Sequence, residues 1–278
     1  MLVTLKEILA DAERGKYAVG HFNMLNLEMA RGIIAAAEEE RSPLILGTAP
    51  VHFPMIPYEY SAPIMRQIAQ KATVPVCLTL DHGTEFSDIC NAMREGFSAV
   101  MFDGSALPYM ENLNQTAELC HIAHALGVSV EAELGHVGLG ANGDGQNAAL
   151  YSRVDQINDF IDRTGVDALA IAIGTAHGAD KAKPKLDIER LDAIYAVAKA
   201  PLVLHGGSGL TEDDFRTAVK HGIRKVNICT EMCQAEQAAQ VAGFVQGYSF
   251  EETLPMVVEA VKKVVCDKMR LFGSSGRA

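Results

Sequence analysis

A chain of 278 residues that is 49% hydrophobic has ample apolar matter for a large buried core, and its length suits one α/β barrel. Its formal net charge of −11 argues against nucleic acid or an anionic membrane surface as the main partner. It leaves room for an anionic small molecule, because backbone amides alone can build a phosphate site. No apolar run approaches the roughly 20 residues of a membrane span. Cys77, Cys90, Cys120, Cys229, Cys233 and Cys266 form no CxxC pair, so ordinary thiols in a reducing compartment, the cytoplasm, are expected.

In chain order, Met1 to Arg14 reads as an amphipathic helix carrying acids rather than a signal peptide. Eight short apolar runs follow: Tyr17–Asn23, Pro43–Ala49, Pro75–Asp81, Ala99–Asp103, Val128–Leu134, Ala168–Gly174, Pro201–His205 and Lys225–Thr230. They are continuous rather than alternating, as in strands buried on both faces. Helical patterns separate them over Leu27–Glu40, Tyr58–Ala72, Glu85–Glu95, Tyr109–Leu126, Val154–Thr164, Ile188–Lys199 and Glu212–His221. Thr4 with Glu7 and Thr211 with Asp214 have capping-box spacing, and Gly96, Gly127, Gly165 and Gly222 stand where helices end. Strands alternating with helices imply parallel pairing, and the closed solution is a (β/α)8 barrel with extra terminal helices. An open doubly wound sheet is the alternative, but no GxGxxG follows the first strand. With no linker or low-complexity tract, residues 1–278 read as a single domain. The loop Gly135 to Ser152 is long for a βα turn and reads as a mobile lid.

Active sites of such barrels lie at the C-terminal ends of the strands. His82, His177 and His205 close the third, sixth and seventh runs, and three neutral imidazoles converging on one rim suit a zinc ion with an open fourth position. Asp81 directly precedes His82. Alternation along the strand turns its carboxylate another way, where it can transfer a proton to or from a bound substrate. Asp103 and Glu133 are further strand-end acids that can orient imidazoles or hold metal in a second position. Gly206 to Gly209 and Asn227 to Thr230 occupy the place where barrels bind phosphate. His121, His124 and His221 read as helix-surface residues, whereas His21, His52 and His136 read as structural. No lysine stands at the C-terminal end of a strand. Lys225 falls at the start of its run, and Lys181, in the loop after strand six, is the one near candidate for a Schiff base.

Six stretches are distinctive together: Leu80 to Gly83, Glu131 to Gly135, Ala172 to Gly178, Pro184 to Asp187, Leu204 to Gly209 and Lys225 to Thr230. With Asn23 to Pro43 and Leu271 to Ser274, they resemble the class II fructose- and tagatose-bisphosphate aldolases along essentially the whole chain. The resemblance implies that His82, His177 and His205 bind zinc and that Asp81 is the acid/base at the cleaved hydroxyl. It implies that Gly178, Gly206, Gly207, Ser208, Asn227, Ile228, Cys229 and Thr230 hold the phosphate of a dihydroxyacetone phosphate unit, with Na⁺ or K⁺ nearby. By the same resemblance, Asp103 and Glu133 match binders of a second or displaced zinc, and a homodimer or homotetramer is expected.

Two stretches depart from the family pattern. Tyr248 to Val257 holds no arginine for a second phosphate and carries Glu251 and Glu252, and the lid has only Asp144 where relatives carry a Glu-Asp pair. The expected function is a zinc aldolase that reversibly cleaves a phosphorylated ketose, a 1-phosphate rather than a bisphosphate, to dihydroxyacetone phosphate and an aldehyde. A non-catalytic sugar-phosphate-binding barrel and a zinc hydrolase are the rival readings.

Overall fold

Strands covered on both faces need a second layer outside and a filled interior within, and these residues provide both. A computed structural model describes residues 1–139, 141–178 and 184–278. In chain order the elements are α1 (Leu5–Gly15), β1 (Val19–Asn23), α2 (Leu27–Glu40), β2 (Leu44–Thr48), α3 (Tyr58–Lys71), β3 (Val76–Gly83), α4 (Phe86–Arg94), β4 (Ala99–Phe102) and α5 (Tyr109–Ala125). They continue with β5 (Ser129–Leu134), β6 (Gly138–Leu139), α6 (Val154–Thr164), β7 (Ala168–Ile171), β8 (Ala176–His177), α7 (Ile188–Tyr195), β9 (Leu202–Leu204), α8 (Glu212–Lys220), β10 (Ile223–Ile228), α9 (Thr230–Val245) and α10 (Phe250–Phe272). Eight strands close in the order β1-β10-β9-β7-β5-β4-β3-β2, all parallel, which is the expected (β/α)8 barrel. The ninth and tenth, β6 and β8, pair with each other beyond it.

Both predicted capping boxes form, at Thr4 and at Thr211, and α6 ends on Gly165 at φ 75°. Several boundaries differ from the sequence reading. The sixth run stops pairing at Ile171, because Gly174 at φ 109° turns the chain across the rim. The helix expected to reach Lys199 ends at Tyr195. The last strand begins at Ile223 and ends at Ile228, so Thr230 opens α9 and Lys225 lies inside the strand, not at its start. Lys181 lies outside the described residues. The long loop is tied to the rim: β6 pairs with β8, and the Gln146 side chain donates to the carbonyl of Gly174 at 2.7 Å.

The barrel interior changes character along its axis. Its foot is apolar, with Val19, Ile45, Cys77, Ala99, Ala168 and Val203 packed against Leu5, Ile8, Leu9 and Ala12 of α1, which plugs that end. Above them lies the ion pair Lys225–Glu131, 2.8 Å long, with both side chains 1% exposed. Burial would raise the Glu131 carboxyl, but the Lys225 charge and the His205 hydrogen bond outweigh it and bring it down to about 2. α10 packs on α2, α8 and β1, and α9 packs on α10. No helix among the described residues is long and apolar enough to cross a membrane.

Removing one partner of a buried pair strands the other charge, at about 3–5 kcal/mol. Lys225→Met should therefore lower unfolding stability by about that amount in urea denaturation. Adding Glu131→Gln should recover most of it. A single-variant loss below about 1 kcal/mol would show that Glu131 finds another cation or takes up a proton.

Candidate active site

The end of β3 sets the geometry. Its pairing with β4 shifts register between Leu80 and Gly83, and His82 adopts φ 48°. A non-glycine residue held there stores about 1–3 kcal/mol of strain. The kink brings both neighbours, Asp81 and His82, into one cavity of about 600 Å³ at the strands' C-terminal ends, where simple alternation would divide them.

His82 Nδ1 lies 2.8 Å from Asp103 Oδ2, and His205 Nε2 lies 2.8 Å from Glu131 Oε1. Both carboxyls are held well below their usual range, so each accepts the imidazole's proton. The other nitrogens, His82 Nε2 and His205 Nδ1, face each other at 2.8 Å. Two lone pairs at that distance repel unless a cation lies between them, either a proton or a metal ion. Burial works against a proton on His82, yet the Asp81 and Asp103 carboxylates push its pKa up to about 9. His177, carried on β8 rather than on the barrel strand itself, stands edge-on to His82 with ring centroids 4.5 Å apart. Burial and the charge of His82 push it down to about 3. Glu133 joins the three histidines, and one donor atom from each lies within 4.8 Å of all the others. Its Oε2 is buried without a hydrogen-bond partner, and burial with the nearby Asp103 raises the carboxyl to about 8. Three imidazole nitrogens and one carboxylate oxygen, two of the imidazoles oriented by acids, are a donor set that fits zinc. Asp103 stands behind His82 as its orienting partner, not among the converging donors.

Asp81 is held at both oxygens. Asn23 Nδ2 donates to Oδ2 at 2.8 Å and Asn227 Nδ2 to Oδ1 at 3.0 Å. Each amide is itself oriented from behind: Lys225 Nζ donates to Asn227 Oδ1 at 2.8 Å, and His21 Nε2 lies 3.1 Å from Asn23 Oδ1. Gly47 makes this possible, since a Cβ there would fall 2.0 Å from His21 Nε2. Burial would raise the Asp81 carboxyl, but His21, His82, His205 and Lys225 hold it well below the usual range. The ammonium of Lys225 is thus committed to Glu131 and Asn227, which removes it as an amine nucleophile. Sequence reasoning did not single out His21, Asn23, Glu131 or Lys225 for this network. A signal was available: His21/Asn23, Glu131/Glu133 and Lys225/Asn227 are polar pairs two apart in otherwise apolar strands, which is the inward face of a barrel.

The opposite wall is built for an anion. Gly178, Gly206, Gly207, Ser208, Asn227, Cys229 and Thr230 line the cavity. Ile228 is not in that lining; its side chain is buried in the hydrophobic layer outside the barrel. Gly206 has φ 67°, and a Cβ there would sit 2.5 Å from the carbonyl oxygen of Ala176. α8 satisfies its first turn with a capping box, whereas the N-cap of α9, Cys229, makes no side-chain cap bond. The first amides of α9 are left for a ligand, with the positive end of the helix dipole behind them. No lysine or arginine lines the cavity among the described residues. Tyr248 to Val257 lies outside the lining, and Glu252 caps α10 through Ser249.

Known proteins converge on the same reading. The family model described as fructose-bisphosphate aldolase class-II matches residues 3–277. YdjI of Escherichia coli K12, named as uncharacterized, is 40% identical over 282 residues covering all of both proteins. The fructose-bisphosphate aldolase of Geobacillus stearothermophilus is 39% identical over 283 residues, covering 100% of this chain and 99% of that one. The crystal structure of the YdjI aldolase superposes with a TM-score of 0.89 at 38% identity, with both chains fully covered. A putative fructose-1,6-bisphosphate aldolase from Coccidioides immitis gives 0.88 at 26% identity, covering 98% of this chain and 97% of that one. A hydrolase or a binding protein without activity does not fit these matches. The chain belongs to the class II fructose-bisphosphate aldolase family and is a carbon–carbon lyase.

Proposed function

We propose that this enzyme is a zinc-dependent aldolase that reversibly cleaves a ketose 1-phosphate into dihydroxyacetone phosphate and an aldehyde with no second phosphate. One observation carries the reading: His82 and His177 of a donor cluster completed by the buried His205 and Glu133, the doubly anchored Asp81 and the uncapped start of α9 line one cavity.

His82, His177 and His205 would hold zinc, with Glu133 within reach as an alternate donor, and the ion would supply Lewis-acid polarisation of the substrate carbonyl. The sugar phosphate rests on the amides of Gly206 to Ser208 and of the first turn of α9, with the Ser208 and Thr230 hydroxyls alongside. Asp81, ionised and fixed by two amides, takes the proton from the C4 hydroxyl. As the C4 carbonyl forms, the C3–C4 bond breaks and its electron pair stays on the three-carbon fragment as an enediolate. In condensation Asp81 returns the proton. Asp103 and Glu131 hold the imidazoles of His82 and His205 in the orientation that points one lone pair of each inward.

Chelation should abolish turnover and zinc should restore it. His177→Ala should lower zinc retained after dialysis, measured by elemental analysis; full turnover of a zinc-free preparation would end the metal reading. Asp81→Asn should retain zinc and thermal stability while losing about 10²–10⁴-fold in kcat for ketose cleavage. A rate within a few-fold of the parent would return Asp81 to a structural role. With no lysine or arginine lining the described cavity, kcat/KM should favour ketose 1-phosphates over the matching fructose or tagatose 1,6-bisphosphates by roughly 10–100-fold, the worth of one charge-assisted phosphate pair. A clear preference for either bisphosphate would mean that a second phosphate site exists.

A further inference from the structure

Aldol chemistry through an enediolate needs two separate proton transfers, one at the C4 hydroxyl and one at the C3 carbon of dihydroxyacetone phosphate. Asp81 serves the first. We propose that His136 is the base for the second, taking the C3 proton in condensation and returning it after cleavage. This inference rests on the aldolase reading above.

His136 lines the same cavity as Asp81, His82 and His177. Its backbone is fixed: its amide donates to the carbonyl of Leu150 at 2.8 Å, and the next amide, of Val137, donates to Glu133 Oε1 at 2.9 Å. Its ring is fixed as well, with Nδ1 2.8 Å from Ser105 Oγ. Ser105 has a single hydroxyl hydrogen, and it is directed 2.6 Å away to Asp103 Oδ1. The same carboxylate accepts the Nδ1 proton of His82 through its other oxygen. Ser105 Oγ can therefore only accept from His136, which requires the proton on Nδ1 of the neutral ring. Nε2 then carries a lone pair, the form a base needs. The Asp103 carboxylate, which orients His82, fixes the tautomer of His136 through one hydroxyl.

The other candidates are already engaged or placed elsewhere. His82 and His177 converge on the metal position, and Asp81 is spent on the hydroxyl. Asp144 does not line the cavity; its Oδ1 packs against Gly138. His52, which also lines the cavity, is the rival among the described residues.

The step balances without a further reactant. The C3–H bond breaks, its proton goes to His136 Nε2, and its electron pair becomes the enediolate. After cleavage the imidazolium returns that proton to C3.

The two transfers can be read apart. Zinc-loaded enzyme in D₂O with dihydroxyacetone phosphate alone should exchange the C3 proton, followed by NMR. His136→Gln should slow this exchange by about 10²–10⁴-fold while keeping zinc content, thermal stability and dihydroxyacetone phosphate affinity, and should still release a first-turnover burst of aldehyde from ketose phosphate. Asp81→Asn should do the reverse, exchanging C3 but giving no burst. Added imidazole should restore part of the exchange in His136→Ala. Exchange in His136→Gln within about threefold of the parent overturns the assignment, and loss of exchange in His52→Gln with His136→Gln unaffected moves the role to His52. A parent enzyme that neither exchanges C3 nor cleaves any ketose phosphate would overturn the aldolase reading itself.

Discussion

The buried contact between Lys225 and Glu131 is the constraint around which the upper barrel is arranged. Two opposite charges at 2.8 Å with 1% exposure persist only if their remaining hydrogen-bonding capacity is filled, and here it is filled by residues of the candidate site. Glu131 uses an oxygen on His205, and Lys225 uses a hydrogen on Asn227, which in turn faces Asp81. One pair thus settles the direction of an imidazole and of an amide on two different strands. His21 performs the corresponding task for Asn23 from β1, so Asp81 is braced from both sides of β3.

Much of this was legible in the sequence, for identifiable reasons. Continuous apolar runs bounded by glycine and proline located all eight barrel strands, because burial on both faces leaves no polar alternation to confuse the pattern. Ends were less secure. Lys225 looked like the start of a strand because it is charged, yet Ile223 and Arg224 already belong to β10, and a barrel interior can bury a lysine that has a carboxylate opposite. His177 read as the end of the sixth strand, whereas it sits on a separate two-residue strand reached after the bend at Gly174. Histidines beside glycine drew attention, while Asn23, Glu131 and Lys225 did not. Their importance lies in pairings across the barrel at sequence separations of 58 to 94, which no local pattern encodes.

The strained backbone at His82 has a related logic. An unkinked strand would present alternate residues to the cavity, and neighbours could not share it. The left-handed turn at His82 and the register shift beside it let Asp81 and His82, the proposed proton-transfer group and metal donor, come from adjacent positions. The cost is met by the hydrogen bond to Asp103 and by close packing at Gly83, where an added Cβ would meet Met101 and Ile89. Strain kept at a functional position and held by its surroundings is a general pattern in enzymes.

The plug of α1 at the barrel's foot has a consequence for how such a protein diversifies. Leu5, Ile8, Leu9 and Ala12 seal an apolar base that shares no side chain with the cavity. The packing of the foot is thus separate from the cavity, so the rim can tolerate replacements that a uniformly packed interior would reject. A scaffold divided in this way changes the molecules it accepts far more readily than it changes its shape.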